Sequence, residues 1–297
     1  MQKKSRQITG WINLDKPYGM SSSQAVAKVK YLLQAAKAGH AGTLDPLATG
    51  MLPIALGEAT KLIPYIMADK KYYSFQISWG EERNTDDLEG AVINSTDKKP
   101  KENEILSILP AYIGEILQTP PQFSAIKCNG QRAYDLARRG KTVDIAARKV
   151  MIEEIKLISH DADNNKSNFS IICGKGTYIR SLGRDIGRAL NCYGYISKLR
   201  RTKVQPFDEN SMIELSELSL LAQPDSCLIN NTALLTAYSR YEISQEQAEA
   251  VKQGQKIILP HVTQMIKPTA CLIYQNQLLS IGNIESNIFC PKRVFKS

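Results

Sequence analysis

Over residues 72–79 polar positions alternate with apolar or aromatic ones, and the run then meets Gly80 and an acidic loop reaching to Gly90. That period of two predicts a half-buried strand ending in a turn, with Ala91, Val92 and Ile93 starting its partner. Residues 11–14 read as a shorter strand, 17–20 as a turn, and Ser21 to Ser23 as caps for a helix through Leu33. Two more strands are predicted over 149–158 and 168–173, flanking a polar stretch. Residues 181–190 are helix-like, with Arg184 and Arg188 one turn apart.

Strands and helices follow one another irregularly, without the strict alternation of a doubly wound sheet. The pattern therefore predicts an α+β fold built on a mixed, largely antiparallel sheet flanked by helices. A Leu-rich helical piece over 212–221 gives way to a loop around Pro224 and Asn230. A new start near Tyr241 is followed by short apolar runs at 257–259, 270–274 and 278–281, broken by Pro, Asn and Gly, which predict a small β-rich module. A boundary near residue 238 separates a large domain, 1–237, from this module, 238–297, in keeping with the length at which single cores stop growing.

At 43% hydrophobic and 23% charged residues the chain has the means to fold around a core. Its longest apolar stretches fall far short of the roughly 20 residues a spanning helix needs. The N-terminus runs from Lys3, Lys4 and Arg6 into Asp15 and Lys16 without an apolar signal core, so a cytoplasmic protein with no membrane partner is expected. Six cysteines lie far apart with no CxxC pair, and the histidines are scattered at 40, 160 and 261, which predicts neither a metal site nor a disulfide framework.

The net charge of +9 favours a polyanionic partner, and its distribution sharpens that. Residues 122–149 carry seven Lys or Arg, including Lys127, Arg132, Arg138, Arg139 and Lys141, against Asp135 and Asp144. Residues 176–203 carry seven, including Arg184, Arg200 and Arg201, against Asp185 alone. These strips hold +5 and +6, more than the whole chain's net charge, and so predict a track for nucleic-acid phosphates. One such run by itself would as readily be a solvated helix face.

The most informative segment is Gly39-His40-Ala41-Gly42-Thr43-Leu44-Asp45-Pro46-Leu47-Ala48-Thr49-Gly50. Asp before Pro is a familiar helix opening, with Asp as N-cap and Pro in the first turn. Backbone donors at such a start favour a charged carboxylate, which is what a nucleophile requires.

Here the chain resembles the bacterial TruB type tRNA pseudouridine(55) synthases. The resemblance runs through Asn13-Leu14-Asp15-Lys16-Pro17 with Gly19-Met20-Ser21-Ser22, then Gly39 to Lys61, Asp69-Lys70-Lys71-Tyr72 and Thr85-Asp86-Asp87 with Glu89-Gly90. It continues through Pro120 to Lys127, Gly130 to Gly140, Gly176 to Leu182 and Leu199-Arg200-Arg201, all in the expected order. The family breaks the bond between uracil N1 and ribose C1′, turns the base in place and rejoins it through C5, which implies no cofactor. A glycoside hydrolase usually wants two carboxylates. Uracil is a better leaving group, so one suffices.

By resemblance Asp45 is the essential carboxylate, attacking the substrate covalently or taking a ribose proton before reattachment. Tyr72 matches the tyrosine that stacks on the extruded uracil and helps to remove the C5 proton, with Tyr73 beside it as the other register. Tyr178 and Arg180, two apart in a predicted strand, point to one face, and the family sets this arginine against the catalytic Asp. Leu199 packs on the target base, His40 enters the T loop, and Lys16 and Pro17 support the site from behind. Residues 122–149 resemble a thumb that closes over the T arm, and the end of the chain a PUA-like module.

The resemblance implies tRNA, through its T arm, as partner of a monomer that needs no other protein. A reading from another class is a noncatalytic tRNA-binding or folding factor on the same scaffold. A third is a guide-RNA-dependent relative, which normally carries a larger C-terminal region and protein partners. Asp45 and Arg180 separate the first from the second, because a pure binder has no use for them.

Overall fold

The computed structural model describes residues 5–66, 70–124, 126–128, 130–140, 143–221, 223–259 and 268–295. Along the chain come β1 (Gly10–Lys16), α1 (Ser22–Leu32), β2 (Ala38–His40), β3 (Ala48–Leu56), the single turn α2 (Ile63–Ile66), β4 (Lys70–Trp79), β5 (Glu81–Arg83) and β6 (Val92–Ser95). Then follow α3 (Glu102–Ile108), β7 (Gly114–Gln118), β8 (Lys127–Cys128), β9 (Gln131–Arg132), α4 (Ala133–Arg138), β10 (Arg148–Asp161), β11 (Lys166–Gly174), α5 (Ile179–Ala189) and β12 (Gly194–Val204). The chain closes with β13 (Met212–Glu214), α6 (Leu215–Leu220), α7 (Asn231–Leu234), β14 (Ser239–Glu242), α8 (Gln245–Lys252), β15 (Ile257–Ile258), β16 (Thr269–Tyr274), β17 (Gln277–Glu285) and β18 (Ile288–Val294).

One sheet runs in the order β13-β1-β3-β12-β4-β11-β10-β7, with β2 paired to β3. The β1/β13 and β3/β12 pairs are parallel and the other pairs antiparallel. The expected α+β class with a mixed, largely antiparallel sheet is therefore what the chain adopts.

Local chemistry explains most elements. Ser21 caps α1 in a capping box with Gln24, each side chain accepting from the other residue's backbone N–H. Helix α5 buries Ile179, Leu182 and Ile186 against the sheet, while Gly187 lets its backbone approach β12 so closely that a Cβ there would lie 2.4 Å from the Gly194 nitrogen.

Three local expectations are corrected. Residues 91–93 do not partner the strand at 72–79. Instead β6 pairs with β5 in a two-stranded ribbon, and β4 is already hydrogen-bonded on both sides by β11 and β12. The helical piece over 212–221 begins as β13, because residues 212–214 extend the sheet beside β1 before α6 starts. Tyr178 and Arg180 lie at the start of α5, not in a strand.

Among the described residues, the strands from Ser239 onward form a second sheet, β14-β16-β17-β18-β15, with its own core around Leu272, Leu279 and Phe289. A further hydrophobic cluster crosses between the two sheets, joining Trp11, Met51 and Ala55 to Cys271, Ile273, Ile281 and Phe295. At this seam the Trp11 indole donates to Asn231 Oδ1 at 3.0 Å.

Gly50 sits where β3 meets β12, with φ +97°, and a Cβ there would lie 2.3 Å from the Arg201 carbonyl oxygen. Gly50→Ala should therefore lower the unfolding free energy by more than about 2 kcal/mol, combining a disfavoured backbone with a steric clash. A denaturant midpoint equal to that of the unaltered protein would contradict this.

Candidate active site

Asp45 opens no helix. After it the chain turns, with the Ala48 amide donating to the Asp45 carbonyl at 3.1 Å, and enters β3 directly. What fixes the loop is a set of donors from outside it. The Ser22 hydroxyl donates to Leu44 O and accepts from Leu44 N, both at 2.8 Å. Lys16 Nζ donates to Pro46 O at 3.2 Å, as it does to Pro17 O and Met20 O, and the Gly19 amide adds a second donor to Pro46 O. Arg201 donates to Gly42 O at 3.0 Å and Thr43 O at 3.3 Å. Every carbonyl from Gly42 to Pro46 thus accepts a hydrogen bond.

The side chain that this loop presents is met by Arg180. Its Nε lies 2.9 Å from Asp45 Oδ2, but its hydrogen is not aligned on a partner oxygen, so the contact is an ion pair more than a directed hydrogen bond. One Nη donates to Thr85 O and the other to Phe123 O, each at 3.0 Å, and Asp87 Oδ2 is 3.6 Å away. Burial pulls the Arg180 pKa down, and the carboxylates of Asp45, Asp87 and Asp86 outweigh it, so the group stays a cation. The Arg180 side chain is 7% exposed and the Asp45 side chain 37%, so the carboxylate can be reached from solvent and the guanidinium cannot.

Both groups line a cavity of about 420 Å³, together with Tyr73, Tyr178 and Leu199. Tyr178 also caps α5, its backbone bonded both ways to the Gln118 amide at 2.8 and 3.1 Å, and this sets Arg180 at the helix start. Burial raises the pKa of both tyrosines. For Tyr73 the charge of the Arg201 guanidinium works in the opposite sense.

Of the two adjacent tyrosines, Tyr73 is the one in the cavity. Tyr72 projects from the other side of β4, with Lys203 Nζ 5.6 Å from its ring centre. His40, half-buried in β2, is not among the cavity-lining residues. Burial, then the charge of Arg201, pushes its pKa down, so the ring is neutral at physiological pH. Lys16 is fully buried, and its pKa falls to about 8, mainly through loss of solvation.

Several residues expected to meet phosphates are engaged internally. Arg184 is buried between Asp86, Asp185 and Thr119 O, all at 2.9 Å. Arg201 is 1% exposed and bonded to three carbonyls, and Arg200 pairs with Asp15. Their charge answers the fold's own carboxylates and carbonyls, which composition alone does not reveal. In the other strip Arg139 is exposed, while Lys141 and the side chains of Lys127, Arg132 and Arg138 lie outside the described residues. Sequence reasoning missed Asp87 and Gln118 as partners of this centre, since neither carries a local signal beyond the Thr85-Asp86-Asp87 run.

No group of His, Cys, Asp and Glu suited to hold a metal occurs among the described residues, and no helix among them is long and apolar enough to cross a membrane.

A family model described as TruB family pseudouridylate synthase (N terminal domain) matches residues 30–179, and one described as tRNA pseudouridylate synthase B C-terminal domain matches 180–227. A protein of Bartonella henselae named tRNA pseudouridine synthase B is 50% identical over 313 residues, covering 99% of this chain and 98% of that one. Its namesake in Mesorhizobium japonicum is 47% identical over 320 residues, with the same coverage. Among solved structures, a Cbf5-Nop10-Gar1 complex contains a chain that aligns over 97% of this one and 84% of its own length, with TM-score 0.74 and 25% identity. Taken with the cavity and its carboxylate, these matches show that the chain belongs to the TruB family of pseudouridylate synthases.

Proposed function

We propose that the protein isomerises uridine 55 in the T loop of tRNA to pseudouridine, acting alone as a monomer and without a cofactor. The observation that carries this reading is the asymmetry of the central ion pair, in which a buried arginine is aimed at a carboxylate that remains open to the cavity. A protein that only held tRNA would gain nothing from desolvating a cation to orient one exposed acid. The relatives' names support pseudouridine synthesis in tRNA, and the resemblance of the motifs around Asp45 to the tRNA pseudouridine(55) synthases supports the choice of uridine 55.

Asp45 acts on the ribose of the everted nucleotide, by attack or by taking a ribose proton, and in both cases needs a free carboxylate oxygen facing the sugar. Arg180 holds one oxygen and leaves the other available. Tyr73, in the place expected of Tyr72, stacks on the uracil and assists removal of the C5 proton. Leu199 and Tyr178 close over the base. Everting a stacked base costs a few kcal/mol. The cavity walls and the basic residues of 122–149 offset this by stacking on the base and by contacting flanking phosphates.

Two outcomes test this. Asp45→Asn should bind an unmodified T-arm stem-loop within about threefold of the unaltered protein and form no pseudouridine, and product formation at the normal rate would reject the assignment. Neutralising Arg138, Arg139 and Lys141 together should weaken binding and reduce the slope of log affinity against log salt by about one unit per lost phosphate contact. An unchanged slope would exclude that strip from the RNA.

A further inference from the structure

Arg201 is a cation with 1% of its surface exposed, and no carboxylate among the described residues lies within ion-pair distance of it. Burying a charge without a countercharge is costly unless its hydrogen bonds are made. Arg201 makes them with backbone oxygens: Nε to Met51 O at 2.7 Å, and its two Nη atoms to Thr43 O and Gly42 O. It has no surface to offer a phosphate. If packing alone were wanted, an apolar side chain of similar volume would serve at lower cost.

Two of the three acceptors belong to the loop that carries Asp45, and the third lies in β3 just beyond it. In the register of β12 against β4, Arg201 lies directly opposite Tyr73, so the two side chains share one face of the sheet. Arg201 therefore holds the loop that carries one of the groups facing the cavity from this side and is the cross-strand neighbour of the other. Lys16 performs the corresponding task at the far end of the loop, on Pro46 O.

We propose that Arg201 is a positioning residue for the chemical step: by anchoring the Asp45 loop to the strand beside Tyr73, one guanidinium fixes the separation of carboxylate and phenol across the cavity. This rests on the roles given above to Asp45 and Tyr73. The side chain touches neither substrate nor reacting atom. A lysine keeps the charge but cannot span three carbonyls at once, because an ammonium is a compact point donor and a guanidinium a rigid fork.

The test uses the full-length Arg201→Lys protein with the T-arm stem-loop. The single-turnover rate should fall roughly 100-fold while KM moves less than about twofold, the pattern of misplaced groups rather than lost binding. In protein labelled with 13C at tyrosine Cζ, the Tyr73 resonance, identified by its loss in Tyr73→Phe, should shift in Arg201→Lys while that of Tyr112 stays in place. A rate within threefold of the unaltered protein, a rise in KM at unchanged rate, or an unmoved Tyr73 resonance would each overturn the proposal. Should Arg201→Lys fail to fold, the same measurements on Arg201→Gln, which keeps two N–H donors without the charge, decide the matter with the same expected outcomes. Failure of the underlying reading is seen separately, as pseudouridine formed by Asp45→Asn.

Discussion

The centre depends on a guanidinium that has been taken out of water and must be compensated in place. Arg180 enters the interior at the start of α5, where desolvation alone would favour losing its charge. It remains a cation because carboxylates from Asp45, Asp87 and Asp86 and the carbonyls of Thr85 and Phe123 surround it. Those partners come from three separate stretches of chain: the loop before β3, the loop after β5 and the segment after β7. Satisfying one cation thus gathers the walls of the cavity. The requirement also explains why Asp45 can stay partly exposed without wandering, since one of its oxygens is committed to Arg180.

The loop bearing Asp45 follows the same logic on its other side. A segment that is neither helix nor strand leaves its carbonyls without the partners that regular structure supplies, and buried ones must find donors elsewhere. Here the donors are a serine at the start of α1, a lysine at the end of β1, a glycine in the following turn and an arginine in β12. Three of these four come from the run that ends β1 and starts α1, so the first strand and helix of the chain hold the loop as well as filling the core. Fixing a backbone from outside leaves its side chain free to face the substrate, whereas an N-cap would have turned the Asp45 carboxylate back onto its own amides.

Much of this was legible in the sequence. The period of two in β4, the capping residues of α1 and the irregular order of elements gave the α+β class, because each rests on short-range geometry. The motif around Asp45 and the pairing of Asp45 with Arg180 followed from the family resemblance, and the geometry places the two side chains together. The register at Tyr72 and Tyr73 could not be read, because two adjacent tyrosines in a strand face opposite sides and only the pairing with β11 and β12 decides which faces the cavity. The same limit applied to β6, whose partner is set by the saturation of β4 on both edges.

Charge was the least legible feature, and the reason bears on where RNA is held. The strip at 176–203 looked like a phosphate track, yet Arg180, Arg184, Arg188, Arg200 and Arg201 are all committed to carboxylates or carbonyls of the fold. A cation already paired releases no counterion when a phosphate approaches, so it adds little to the salt-dependent part of affinity. Counting Lys and Arg along a sequence measures total charge, whereas binding depends on the charge left unneutralised at the surface. By that measure the five arginines of the second strip contribute to the architecture of the cavity, and the charge left at the surface is carried by residues such as Lys198, Arg139 and Arg148, which are exposed. The guanidinium that faces Asp45 is therefore not among the cations left open at the surface.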